Sequence, residues 1–279
     1  MLDVVVGDGP VPSRGSGRTV NVWRDDDRRA FAEAAVHGRG YRLEWQGIGV
    51  LTFEPDSVRV HLWPAAGVDE AEAVSAVLHV VQPVILQSLG YQTVHASAIQ
   101  LTTGIVAFCG VSGSGKSTMA FALGRLPGVS QIADDALVVE ATAAGIVAQP
   151  LPFRARLRPE SGAFFGEPSS PRPGVLARRT AAAPLLAIFV LKQSTEAKTI
   201  DLSRVGPTHA FSVLLTHAHC FDETDRETMA SMVHAYLSIA ASVPVYSLVY
   251  PRDFAHLEAL RACVLNTIAP AASVNHAAD

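Results

Sequence analysis

Cysteine is scarce: Cys109, Cys220 and Cys263 are the three in 279 residues. So few exclude a disulfide scaffold and point to a reducing setting. Lysine is scarce too. It occurs only at 116, 192 and 198, so 19 of the 22 basic residues are arginine. Positive charge is not in excess, with a formal net charge of −4 and a pI near 6.2. That balance excludes a broadly basic nucleic-acid binder. Long apolar runs are missing: Val77 to Leu89 and Tyr236 to Tyr250 are interrupted by Pro83 and Pro244. Both fall short of the ~20 residues that span a bilayer. The start, Met1-Leu2-Asp3, lacks the basic-then-apolar pattern of a signal peptide. No internal repeat is visible. Hydrophobic residues make up 49% and charged residues 17%, enough for a large core and unlike a disordered chain. The expectation is a soluble cytoplasmic protein of one or two domains, with no membrane and no nucleic-acid partner.

The first ~20 residues are rich in Gly, Pro and Ser and read as a loose arm or short strand. Asp25 to His37 predicts a helix, with an acidic start, an Ala-rich body and Gly38 and Gly40 as the stop. Tyr41 to Trp45, Gly49 to Phe53 and Ser57 to Trp63 then predict an antiparallel meander. Asp69 to Leu89 has helical spacing, with a kink expected at Pro83. Beyond Gly90 the pattern changes. Val94 to Gln100 predicts a strand, and Ile105 to Cys109 predicts one buried on both faces. A helix follows from Ser117 to Leu123, then a short strand from Val129 to Ala133. Pro150 to Pro173 reads as loops. Leu185 to Leu191 and Val245 to Val249 read as strands, and Thr208 to Leu215 and Asp225 to Ala241 as helices. The boundary falls near Gly90: a small α+β domain over residues 1–89, and an α/β domain over 90–279.

Between a strand and a helix lies Gly110-Val111-Ser112-Gly113-Ser114-Gly115-Lys116-Ser117, a complete G-x-x-x-x-G-K-[ST] loop. Such glycines let backbone N–H groups converge into an anion nest, and the next helix aims its positive end at the same spot. Lys116 supplies a point charge for β- and γ-phosphates, Ser117 is the expected Mg²⁺ ligand, and Thr118 completes the loop. The motif predicts binding of a nucleoside triphosphate, ATP, with Mg²⁺. No G-x-G-x-x-G follows a strand, so the dinucleotide fold is excluded.

Asp134 follows Lys116 by 18 residues, room for a helix, a turn and a returning strand beside the loop strand. Asp134-Asp135 would then sit at the carboxyl end of the sheet, where ligands bind. One carboxylate can hold Mg²⁺ there, and a second can serve as base toward a hydroxyl. That favours phosphoryl transfer over plain hydrolysis. His95 precedes Lys116 by 21 residues, in a strand expected to pair with the loop strand.

Val94-His95-Ala96-Ser97-Ala98, the loop from Gly110 to Thr118, and Ile132-Ala133-Asp134-Asp135 together resemble the HPr serine kinase family. They look most like the HPr-kinase-like proteins encoded beside ribosomally made peptides, the lasso-peptide kinases among them. The resemblance covers about residues 90 to 260. It implies a P-loop domain related to phosphoenolpyruvate carboxykinase. It also implies an ATP-dependent kinase acting on a serine hydroxyl of a peptide or protein. By motif, His95, Lys116 and Asp135 fall on the family's catalytic groups, Ser117 on its Mg²⁺ ligand and Asp134 on its first aspartate. The chain has no counterpart of the family's downstream Glu-Arg-Gly signature. Thr118 stands where an acidic residue is common, and the segment before the aspartates is one residue longer. These departures point away from HPr as the substrate and toward the peptide-kinase branch.

Arg154, Arg156 and Arg158, with Arg172, Arg178 and Arg179, could clamp phosphates or a carboxylate, or form a solvated basic loop. His217-Ala218-His219-Cys220 with Asp222 and Glu223 reads better as a helix end entering a charged turn than as a metal site. Cys109 reads as a small buried residue. Two other functions stay open: a small-molecule P-loop kinase, and a nucleotide-gated binding module. A homo-oligomer is compatible with the kinase reading.

Overall fold

The computed structural model describes residues 2–153, 157–167 and 181–274. Of the arginines singled out above, Arg154, Arg156, Arg172, Arg178 and Arg179 lie outside the described residues. The chain divides into two compact units. One comprises Met1–Gln92 with His219–Val233, and the other Thr93–Ala218 with His234–Asp279. The segment His219–Val233 therefore belongs with the N-terminal part, although it lies far beyond Gly90 in sequence.

The first unit is built on a six-stranded sheet in the order β1-β6-β5-β4-β3-β2. Its strands are β1 (Asp3–Val6), β2 (Thr19–Arg24), β3 (Ala30–His37), β4 (Gly40–Trp45), β5 (Gly49–Phe53) and β6 (Arg59–Pro64). The expected meander is β4, β5 and β6, antiparallel and in register from Leu43↔Leu51 to Leu51↔Leu62. The expected helix over Asp25 to His37 is not formed. Its acidic start is a turn, where the Arg29 amide donates to Asp25 Oδ1 at 2.8 Å. Its alanine-rich body is β3, paired on both sides. Alanine's helix propensity is worth only tenths of a kcal/mol per residue, and burial between two strands outweighs it. Gly38, read as a helix stop, instead turns β3 into β4 with φ +60°.

The helical run predicted over Asp69 to Leu89 is present as α1 (Glu70–Ala76), a π-helical turn (Val77–Val81) and α2 (Gln82–Ser88). Asp69 caps it, accepting from the Ala71 and Glu72 amides. Pro83 lies in the first turn of α2, after the π-helical turn. Proline has no N–H to donate, and the local widening accommodates that loss. Among the described residues this run alone is long and apolar enough to cross a membrane, and half of its apolar window is buried in the protein. From the downstream segment, Phe221 stands edge-on to Tyr41 at 4.7 Å, and its amide donates to Gln87 at 2.7 Å.

The second unit holds a nine-stranded sheet. Its strands are β7 (Gln92–Val94), β8 (Ser97–Leu101), β9 (Gly104–Cys109), β10 (Ser130–Ala133), β11 (Leu137–Thr142), β12 (Gly145–Pro150), β13 (Ala183–Ser194), β14 (Asp201–Arg204) and β15 (Val245–Pro251). The main path is β10-β8-β9-β13-β12-β11-β7, and β15 pairs with β13 and β14. Strands β9, β13 and β15 run parallel. All six residues of β9 are buried, as its unbroken apolar run requires. The helices are α3 (Lys116–Gly124), α4 (Pro159–Phe165), α5 (Pro207–Leu215), α6 (Arg226–Ser242) and α7 (Leu257–Val274). Phe108, Met119, Leu123, Phe189 and Val264 belong to one core joining α3, the sheet and α7. Residues of α6 fall in both units.

Three expectations need correction here. The strand expected over Val94 to Gln100 is two strands, with His95 and Ala96 in the break between them. The aspartate strand β10 does not neighbour β9, because β8 lies between, antiparallel to both. Two antiparallel steps bring β10 back parallel to β9, so the aspartates still emerge at the loop's end of the sheet. The stretch read as loops from Pro150 contains α4, with Pro159 in its first turn.

Candidate active site

Strand β9 ends at Gly110, where the chain bends sharply into the loop. A Cβ on Gly110 would lie 2.5 Å from Ser114 Oγ and 2.6 Å from the Leu191 carbonyl. Only glycine allows the loop to close so tightly on itself and on β13. At the other end Gly115 caps α3 with φ +91°, and a Cβ there would collide with the Tyr250 hydroxyl. Tyr250 donates to the Ser114 carbonyl at 2.6 Å and anchors the loop from β15. Burial pushes the Tyr250 phenol up to about 12, against a weaker opposing bond with Gln193, so it remains a donor.

Lys116, the first residue of α3, is buried at 6% exposure. Its Nζ donates to the Gly110 carbonyl at 2.8 Å and to the Val111 carbonyl at 3.3 Å. Burial lowers its pKa, while Asp135, Cys109 and Asp134 pull it upward. Cys109 itself is sealed in the core, and burial pushes its thiol up to about 12, which leaves it inert.

Asp134 is buried at the end of β10. Ser97 Oγ, from the start of β8, and Ser117 Oγ, from α3, both donate to its Oδ1 at 2.7 Å. Asp135 is exposed and adopts a left-handed backbone with φ +73°, a conformation that aspartate tolerates better than most residues. The reversal sends the two carboxylates into different surroundings, one buried and one in solvent. His95 Nδ1 lies 2.9 Å from the Asp135 carbonyl oxygen. A carbonyl can only accept, so Nδ1 carries the proton and the neutral ring keeps its lone pair on Nε2. Burial, then Lys116, lowers the His95 pKa and favours that neutral ring. The His95 amide donates to the His217 carbonyl at 2.7 Å, which fixes the break between β7 and β8.

A cavity of about 720 Å³ collects these groups. His95, Lys116, Ser117, Asp134 and Asp135 all line it, as do Ser112, Gly113, Gly115 and Thr118. Gly110 and Ser114 do not; they lie buried behind the loop, and Val111 is 73% exposed to solvent. Arg158 also lines the cavity and donates from Nη2 to Ser112 Oγ at 3.2 Å. Thr118 Oγ1 meets Ser161 Oγ at 2.9 Å and joins α3 to α4.

Sequence reasoning missed Gln193, Tyr250, Arg252 and Phe254, which also line the cavity. One signal was available. Gln193, Tyr250 and the residues after it stand at the carboxyl ends of β13 and β15, the side where parallel sheets bind ligands.

The residues fit a phosphate chain and Mg²⁺. The loop, the N-terminus of α3, Lys116 and Arg158 converge on one wall of positive character. Ser117 and Asp134 put two oxygen donors together, and among the described residues no cluster of three or more His, Cys, Asp or Glu could hold a metal. Two oxygen donors of this kind suit Mg²⁺, which takes its remaining oxygens from water and phosphate.

No protein-family model matches the chain, and no curated protein matches it. Among solved structures it is similar to the Hpr(Ser) kinase/phosphatase from Coxiella burnetii, at 12% identity and a TM-score of 0.37. The match covers 63% of this chain and 95% of that one.

Proposed function

We propose that the protein is an ATP- and Mg²⁺-dependent kinase that phosphorylates a serine hydroxyl of a peptide or protein. A ribosomally made precursor peptide of the lasso type is the substrate class suggested by the motif set. The observation that carries the reading is the pairing of Ser117 with Asp134 at 2.7 Å under a complete phosphate loop, with Asp135 and His95 on the same cavity. The bound nucleotide supplies the phosphoryl group, and Mg²⁺ neutralises part of its charge. Ser117 and Asp134 would hold the metal. Lys116 would leave its carbonyl partners for the phosphates, and Arg158 would add a second cation at the Ser112 side of the loop. Asp135 would accept the serine proton, its exposure on the cavity leaving it reachable by a macromolecular acceptor. His95 would hold the Asp135 backbone through Nδ1 and present Nε2 to the same space. In this reading the protein acts on a macromolecular acceptor in the cytoplasm, and a homo-oligomer is compatible.

The test is incubation with ATP·Mg²⁺ and a candidate precursor peptide, followed by mass spectrometry. A mass gain of one phosphate on a serine supports the reading. Phosphate only on a free metabolite favours a small-molecule kinase. Tight nucleotide binding with no transfer to any acceptor favours a nucleotide-gated module.

A further inference from the structure

The cavity is chemically divided, and the sheet order explains the division. The phosphate loop follows β9, at the centre. The chemistry-bearing groups, His95, Asp134 and Asp135, come from the β8 and β10 flank. The opposite flank, past β13, is β15 and the segment leading into α7. It contributes Pro251, Phe254, Leu257 and Leu260 to the wall, and Met119 joins them from α3. Leu257, Leu260 and Met119 are buried beneath that wall at 9%, 2% and 2% exposure. Phe254 is only part-buried, and its ring stacks on Phe164 of α4 at 4.4 Å and 10° between planes. At the rim Arg252 approaches Glu160 at 3.9 Å, again joining this flank to α4.

Phosphoryl transfer uses none of these apolar groups. A cavity of 720 Å³ also exceeds what a phosphate chain and one hydroxyl require. We propose that the β15–α7 flank is the nucleoside subsite, in which the base of the phosphoryl donor lies against Phe254 and over Met119, Leu257 and Leu260. The acceptor hydroxyl then enters from the His95–Asp135 flank, and donor and acceptor meet at the loop from opposite sides. This rests on the kinase reading for the presence of a nucleotide. The aromatic and aliphatic wall recognises a planar heteroaromatic ring, and stacking of this kind tolerates any base.

The experiment compares two probes on the full chain: ATP·Mg²⁺ and inorganic tripolyphosphate·Mg²⁺, which carries the phosphates without a nucleoside. Calorimetry on the wild-type protein should show ATP bound more tightly. Phe254→Ala should weaken ATP about tenfold and leave tripolyphosphate unchanged. Phe254→Trp should retain ATP affinity, and its fluorescence should respond to ATP but not to tripolyphosphate. Equal affinity of the wild type for both probes, or equal loss of both in Phe254→Ala with no selective response in Phe254→Trp, overturns the subsite alone. Binding of neither probe to the wild type overturns the nucleotide reading and the subsite with it.

Discussion

Ser117 and Ser97 donate to the same oxygen, Oδ1 of Asp134, each at 2.7 Å. They come from different elements, α3 and β8, so the carboxylate is held from two sides. A buried carboxylate needs such donors. Ser97 is fully buried, so Ser97→Ala removes a hydrogen bond without opening a route for water. It should cost about 1 kcal/mol of stability. It should also raise the Mg²⁺ concentration for half-maximal rate by a few fold, because Asp134 loses its orientation. Ser117→Ala should raise that concentration further, since it removes a ligand as well as a donor. Denaturant melts and Mg²⁺ titrations of both variants check this. An unchanged Mg²⁺ requirement in both would remove Asp134 and Ser117 from the metal site.

Lys116 is the loop's own cation, held by the Gly110 and Val111 carbonyls. Lys116→Met preserves most of the volume and removes the charge. It should abolish phosphoryl transfer while the circular dichroism spectrum stays that of the wild type. Turnover near the wild-type rate in this folded variant contradicts the assignment.

Gly115→Ala places a methyl group against the Tyr250 hydroxyl at a backbone angle of +91°. Both the clash and the angle disfavour alanine, a strain of roughly 1–3 kcal/mol. The melting temperature should fall, and tripolyphosphate binding should weaken because the loop loses its anchor to β15. Tyr250→Phe in the Gly115→Ala background should recover part of the stability. No recovery would mean that the backbone angle, not the hydroxyl, carries the cost.

The loop and the strand and helix flanking it were legible because their signals are local. Buried strand, glycines and lysine are contiguous from Ile105 to Thr118. The meander β4 to β6 was legible for the same reason. The alanine-rich β3 was not, since its partners β2 and β4 decide its conformation and local propensity points the other way. The break at His95 was invisible too. It depends on the His217 carbonyl, 122 positions later in the chain, which takes the His95 amide. Arg158 could be singled out only as one arginine among several, and Tyr250 and Phe254 not at all. Tyr250 and Phe254 reach the cavity because β15 pairs with β13, and Arg158 because α4 packs beside the loop.

His217 is buried, and burial pushes its imidazole down to about 4, with His95 and Lys116 adding to the shift. The sign follows from linkage. Below the ordinary value near 6.5 the unfolded chain binds a proton on His217 that the folded chain refuses. The folded state therefore loses stability as pH falls from about 6.5 toward 4. His217→Gln removes that titration and should flatten the dependence of unfolding free energy on pH across this window. Urea melts at several pH values test it. An identical slope in the variant means that other groups, not His217, set the acid sensitivity.

Asp134 and Asp135 are neighbours with opposite surroundings, and their variants should separate. Asp134 is buried among hydroxyls, whereas Asp135 is exposed on the cavity with its carbonyl tied to His95. A serine hydroxyl is a weak nucleophile at neutral pH, and a positioned base contributes ~10²–10⁴-fold. Asp135→Asn keeps shape and removes basicity, so turnover should fall by that order with ATP·Mg²⁺ affinity near wild type. Asp134→Asn should instead raise the Mg²⁺ needed for half-maximal rate, and saturating Mg²⁺ should restore part of the activity. The left-handed backbone at Asp135 adds a control, because asparagine tolerates that conformation and the variant should fold. Single-turnover assays across a Mg²⁺ series distinguish the two. Normal turnover in Asp135→Asn, with Asp134→Asn dead at saturating Mg²⁺, would place the base on the buried member of the pair and leave Asp135 to shape the loop at His95.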